Sequence, residues 1–177
     1  AVAKVSSSGV ITAKGAGSAT ITARSTVRGA SAYCSVSVLG PGQTTSYDGC
    51  TYTVNKKRTL TFTYAPYTVT KLLVPAKVKI SGNAYKVVKI GPSAASGRTQ
   101  ITKLVVGKNV KSIGKGAFEN CTALKKVTIK SKKVNKIGKG AFATAAPGLR
   151  VKCPKGKAKA YKKKLRKSGL PSKAKVK

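Results

Sequence analysis

Apolar and polar residues alternate over Ala19-Thr-Ile21-Thr-Ala23 and again over Cys34-Ser-Val36-Ser-Val38. A period of two puts one set of side chains on one face of a strand, so both segments predict strands. Val10-Ile11 begins another, and Ala3-Lys4-Val5 makes a short first one. Turn-forming runs lie between them: Ser6-Ser-Ser-Gly9, Gly15-Ala-Gly17 and Arg28-Gly29. Two Gly and one Pro in Leu39-Gly-Pro-Gly-Gln-Thr-Thr45 then predict a linker over 40–46. Tyr52-Thr-Val54 and Leu60-Thr-Phe62-Thr-Tyr64 follow, joined by Asn55-Lys-Lys-Arg58. Their alternation predicts a hairpin within 47–66 with one aromatic face and one threonine face. Two roles fit that hairpin, an exposed aromatic platform for a sugar and a cap over what comes next; the cap is the expected one.

What comes next is repetitive. Three blocks align: Lys71-LLVP-AKV with KIGPSAA95, Lys103-LVVG-KNV with KSIGKGAF118, and Lys126-VTIK-SKKV with NKIGKGAF142. A shortened fourth is Arg150-VKCP-KGK. Leu104 to Val127 is 23 positions, and Phe118 to Phe142 and Val127 to Val151 are 24. That period, with one short strand per turn, is that of a leucine-rich-repeat solenoid over 67–154. The strand register sorts the side chains. Leu72/Val74, Leu104/Val106, Val127/Ile129 and Val151/Cys153 point inward, so Lys71, Lys103, Lys126 and Arg150 form one outward column on the concave sheet. Leu73, Val105, Thr128 and Lys152 form the next. Lys115 and Lys139 recur in the turn.

The stretch Ile113-Gly-Lys-Gly-Ala-Phe118-Glu-Asn-Cys121-Thr-Ala-Leu124 closely resembles the BspA-like type of leucine-rich repeat. Ala3-Lys-Val5, Gly9 to Ala23 and Cys34 to Val38 resemble the C-terminal half of a group 2 bacterial immunoglobulin-like domain. A complete sandwich of that kind needs about 100 residues, so residues 1–39 are expected to be a partial β-sandwich that cannot close its own core. The overall expectation is a mainly β chain: partial sandwich, linker, capping hairpin, short solenoid, capping helix over 155–170 and a disordered basic tail over 171–177. The helix rests on Tyr161 and Leu165 at i,i+4, with Gly169 behind the last helical residue and Pro171 after it.

Charge alters the picture most. The chain has 37 Lys and Arg against 2 acids in 177 residues, a net +35. Residues 155–177 hold eleven of the cations, and the rest of the chain still carries +24. His is absent, and Asp48 and Glu119 lie 71 positions apart, so histidine chemistry is excluded and paired-carboxylate chemistry has no reserve. Neither catalytic residues nor cofactors nor metal ligands are expected. Ser112-Ile-Gly-Lys115 has the spacing of serine–lysine acyl transferases, but Lys136 replaces the serine in the next repeat. Gly114-Lys-Gly and Gly138-Lys-Gly lack the offsets of a P-loop. Cys34, Cys50, Cys121 and Cys153 have no CxxC spacing and are expected to be buried free thiols, with a Cys34–Cys50 disulfide as the alternative.

The resemblances imply a non-enzymatic bacterial surface or wall-associated adhesion module. Its expected partners are host matrix proteins or glycans, or anionic cell-wall polymers, met by the strip Lys71, Lys103, Lys126, Arg150 and Lys152. The competing expectation is a basic protein that binds nucleic acid without specificity at low salt. No stretch is apolar enough to span a membrane. The first residues lack a signal-peptide layout and an initiating Met, so a monomeric piece of a longer or processed chain is expected.

Overall fold

A computed structural model describes residues 1–177, apart from the side chain of Ala13. The period-two segments near the N-terminus become strands β1 (Ala3–Val5), β2 (Ile11–Ala13), β3 (Gly17–Arg24) and β4 (Ser31–Val38). They pair only as two antiparallel hairpins, β1 with β2 and β3 with β4. Neither ribbon pairs with a further strand, and Val5, Val10, Ile11, Val27 and Tyr33 are exposed. Among the described residues of this segment, Val38 is the one buried hydrophobic.

Strand β5 (Thr44–Tyr47) begins inside the stretch expected to be a linker. It pairs antiparallel with β6 (Cys50–Val54), which pairs antiparallel with β7 (Thr59–Tyr64). The linker is thus drawn into a three-stranded meander. The backbone N–H groups of Gly42 and Val54 fix the join, donating to the carbonyls of Val54 and Gln43. In β6 and β7 the alternation sends Tyr52, Val54, Leu60 and Phe62 inward, with the Tyr52 and Phe62 rings edge to face at 5.6 Å. Thr51, Thr53, Thr59, Thr61 and Thr63 lie half-buried on the other face.

The repeats form the remaining strands: β8 (Lys71–Val74), β9 (Lys77–Ile80), β10 (Asn83–Ile90), β11 (Lys103–Val106), β12 (Ser112–Ile113), β13 (Lys126–Ile129), β14 (Lys136–Ile137) and β15 (Arg150–Lys152). Helix α1 (Ala158–Lys167) and β16 (Lys175–Val176) end the chain. The second and third coils carry two strands each rather than the expected one, and the first carries three. The first sheet is wholly parallel, in the order β8-β11-β13-β15-β16, and the second runs β5-β6-β7-β10-β12-β14 with β9 on β10. Strand β7 joins β10 in parallel, so the hairpin continues the second sheet and closes the N-terminal end of the solenoid.

Inward residues of both sheets meet in one continuous core. Phe118 and Phe142, one coil apart, stack with centroids 5.4 Å apart and planes 20° from parallel. Ala95 takes the equivalent place in the first coil and is also fully buried. Between strands, the turns carry their own backbone ladder: the N–H groups of Ser93, Ala95 and Phe118 donate to the carbonyls of Lys115, Ala117 and Ala141 on the following coil. The buried polar backbone thereby keeps its hydrogen bonds.

At the C-terminal end, α1 buries Tyr161 and Leu165. The Tyr161 hydroxyl donates to the Ser131 carbonyl at 2.8 Å and accepts from the Val134 N–H at 3.0 Å. Lys164 donates to the carbonyls of Val134 and Asn135. Gly169, at φ 88°, lies in the left-handed region that closes many helices.

The expected disordered tail is an ordered strand. Lys175 N–H donates to Leu149, Lys177 N–H to Val151, and Cys153 N–H to Lys177. The guanidinium of Arg166 gathers the carbonyls of Leu170, Pro171 and Ala174. Lysines at 173, 175 and 177 mask the alternation that lets Ala174 and Val176 pack on the last coil.

Candidate functional site

Strand pairing places the expected strip residues in line. Lys71 pairs with Lys103, Lys103 with Lys126, and Lys126 with Arg150. Strand β16 adds a fifth cation, since Arg150 pairs with Lys175. All five side chains are exposed. Their spacing follows from the sheet: neighbouring strands lie about 4.8 Å apart, and two unit charges at that distance repel by about 0.8 kcal/mol in water before salt screening. The column persists because the inward residues Leu72, Leu104, Val127 and Val151 fix the register from the buried side. An anion laid along the column would relieve repulsion at every step.

The second outward column is mixed. Leu73 is 53% exposed, Val105 and Thr128 are half-buried, and Lys152 is exposed. Apolar surface therefore lies beside the cations at the N-terminal end of the sheet, and charge prevails at the C-terminal end. There, Lys126, Arg150, Lys152, Lys175 and Lys177 surround a cleft of about 620 Å³ floored by Val151 and Cys153. Lys175 and Lys177 were not visible as site residues from the sequence, where the last seven positions read as a tail. Neither acid is on this sheet: Asp48 is in the β5–β6 turn, and Glu119 is in a turn beside Gly116 and Gly140.

Other residues singled out from the sequence are separated by the fold. Ser112 lies on β12 between Lys89 and Lys136 in the second sheet, and Lys115 follows in the turn. All four cysteines are free thiols. Cys50 and Cys121 are buried, Cys153 is half-buried, and Cys34, expected inside, is exposed on a ribbon of two strands only. Burial pushes the thiols of Cys121 and Cys153 up to about 11, so both stay protonated at neutral pH. No group of three Cys, Asp or Glu comes together among the described residues. Arg98 is buried at the N-terminal end of the solenoid, its guanidinium 3.8 Å from the Tyr67 ring centroid and 4.9 Å from that of Tyr64. It donates to the carbonyls of Ala65 and Ser96. Two of the aromatics that could have served as a platform are thus held by a cation of the first coil.

Coils of this length, stacked in this way, carry the BspA type leucine-rich repeat signature, which matches residues 76–166 in six copies. The chain belongs to the BspA-type leucine-rich repeat family. The solved structures similar to this BspA-type chain are bacterial. A leucine rich cell surface protein from Faecalibacterium prausnitzii A2-165 is 28% identical, with a TM-score of 0.52 over 63% of this chain and 33% of that one. A leucine-rich repeat protein from Bacteroides capillosus ATCC 29799 is 25% identical, with a TM-score of 0.59 over 75% of this chain and 96% of that one. The BspA-type chain thus spans about a third of the Faecalibacterium protein and nearly all of the Bacteroides one. No curated protein matches it. No helix of the described residues is long and apolar enough to cross a membrane.

Proposed function

We propose that this chain is a non-enzymatic bacterial cell-surface binding module that holds anionic polymers along the first sheet. The observation that carries this is the in-register column Lys71, Lys103, Lys126, Arg150 and Lys175. A linear polyanion laid across the strands meets a cation at each one, and the counterions it releases drive binding in a salt-dependent way. Sulfated glycans of a host matrix and phosphate-bearing wall polymers share that chemistry. The surface setting draws support from the similar Faecalibacterium cell surface protein.

The test is a variant with Lys71, Lys103, Lys126 and Arg150 all changed to Gln. At physiological salt its affinity for heparin and for a glycerol-phosphate polymer is expected to fall at least roughly tenfold, and the salt dependence to flatten. Unchanged binding of both polymers would overturn the reading. Tight, sequence-preferring DNA binding that survives physiological salt would favour a nucleic-acid protein instead.

Residues 1–39 fit the same setting as part of an immunoglobulin-like spacer. Val5, Val10, Ile11 and Tyr33 are exposed as a sandwich half would leave them. Deleting residues 1–39 is expected to leave the thermal midpoint of the solenoid within about 3 °C. A fall beyond roughly 6 °C would make the segment part of the solenoid instead.

A further inference from the structure

From the second sheet we infer a second polyanion-binding face, so that one chain bridges two anionic polymer strands. This sheet was not visible in the sequence, and its outer surface also presents lysines. Register aligns Thr61, Lys89, Ser112 and Lys136 across four successive strands. The lysines are exposed, and Ser112 brings a hydroxyl between them. Two adjoining clefts of about 800 and 450 Å³ share Lys89 and Ser112 and so form one groove. The first adds Lys56, Lys57 and Lys111 from the hairpin and coil edges. The second adds Lys115 and Lys139 from the recurring turn. No acid lines either cleft.

Gly91, Gly114 and Gly138 follow the strands on consecutive coils and line the second cleft, and a side chain on any of them would press on the backbone of the neighbouring coil or strand. Ammonium groups with three donors each, and a serine hydroxyl, suit sulfate and phosphate oxygens. Val88, next to Lys89, is half-buried and lines the first cleft, so apolar surface adjoins the lysines here as it does on the first sheet.

The two sheets turn their inward faces to a single core, so their outer faces look away from each other. One polymer strand cannot lie along both columns at once without bending round the solenoid. Two strands can be held, one on each side, which makes the chain a cross-linker. The bridging step rests on the reading of the first sheet; the second face does not.

The test compares three proteins: the natural chain, the Lys71/Lys103/Lys126/Arg150→Gln variant, and a Lys89/Lys111/Lys136/Lys139→Gln variant. A size-defined heparin-derived hexasaccharide and a short glycerol-phosphate oligomer serve as probes at physiological salt, which separates sulfate from phosphate sources. Titration calorimetry is expected to give two oligomers per natural chain and one per chain of either variant. Long heparin is expected to sediment as bundles with the natural chain and with neither variant. One oligomer per natural chain, with the second-sheet variant indistinguishable from it, would overturn the second face and leave the first standing. Loss confined to the second-sheet variant would uphold the second face and overturn the first, together with bridging. Thermal midpoints within a few degrees of the natural chain confirm that both variants are folded.

Discussion

Phe118→Ala is expected to destabilise the chain by about 3–5 kcal/mol and to lower its thermal midpoint by roughly 10 °C. Phe118 is fully buried and stacks on Phe142 one coil away. A solenoid coil touches only its neighbours, so stability is close to a sum of coil and interface terms. Removing the ring damages the middle coil and its contact with the next one together. The surroundings cannot collapse into the space, because the turn bearing Phe118 is tied on both sides. Its own N–H donates to Ala141, and the N–H of Ala95 donates to Ala117. Denaturant unfolding of the variant, with the natural chain in parallel, measures the loss. A value under about 1 kcal/mol would show that the aromatic stack does not couple the coils.

The recurrence that exposed this core was legible because solenoids repeat their physics. Leu104 and Val127 occupy equivalent places 23 residues apart, and both are fully buried. The same recurrence hid the second sheet. Strands β12 and β14 are two residues each, Ser112–Ile113 and Lys136–Ile137, too short for alternation to register. They exist because β10 supplies a longer template and the stacked coils repeat its register. Pattern reading detects strands that state themselves locally, and these are imposed by a neighbour.

The first column of cations was legible for the same reason as the core, since inward and outward positions share one register. Lys175 was not, because a basic C-terminal stretch resembles a tail until Arg166 and β15 are seen to hold it. Cys34 shows the converse error. Its parity with Val36 and Val38 is correct, but a face is buried only where another layer covers it, and β4 has only β3 beside it. Sequence gives the side of a strand on which a residue lies. It does not give what stands opposite. The second basic face falls in that gap: Lys89 and Lys136 are visible as charges, but their alignment with Ser112 across three strands needs the pairing itself.

A glycine that lines that face supplies the other large effect. Gly138→Ala is expected to cost about 3 kcal/mol, at the upper end of overpacking. A methyl group there would stand 2.7 Å from the Gly114 carbonyl carbon and from the Lys115 Cα, both backbone atoms of the preceding coil. Gly114 meets the coil before it in the same way, 2.6 Å from the Gly91 carbonyl oxygen. These backbones cannot step aside: the N–H of Gly138 donates to Ile113 and that of Gly114 to Ile90, each at 2.9 Å. Glycine is therefore required at these positions by the closeness of the coils, not by an unusual φ. Gly148→Ala is the control. No atom lies within 4 Å of a methyl group there, so it is expected to be neutral or to stabilise by up to about 1 kcal/mol through the unfolded chain. Forcing the coils apart at Gly138 also spreads Ser112 from Lys136, so the variant is expected to weaken oligomer binding at the second face while leaving the first at full strength. Thermal melts and the same hexasaccharide titration read both effects. If Gly138→Ala melts with the natural chain, the coils do not approach as closely as this packing requires.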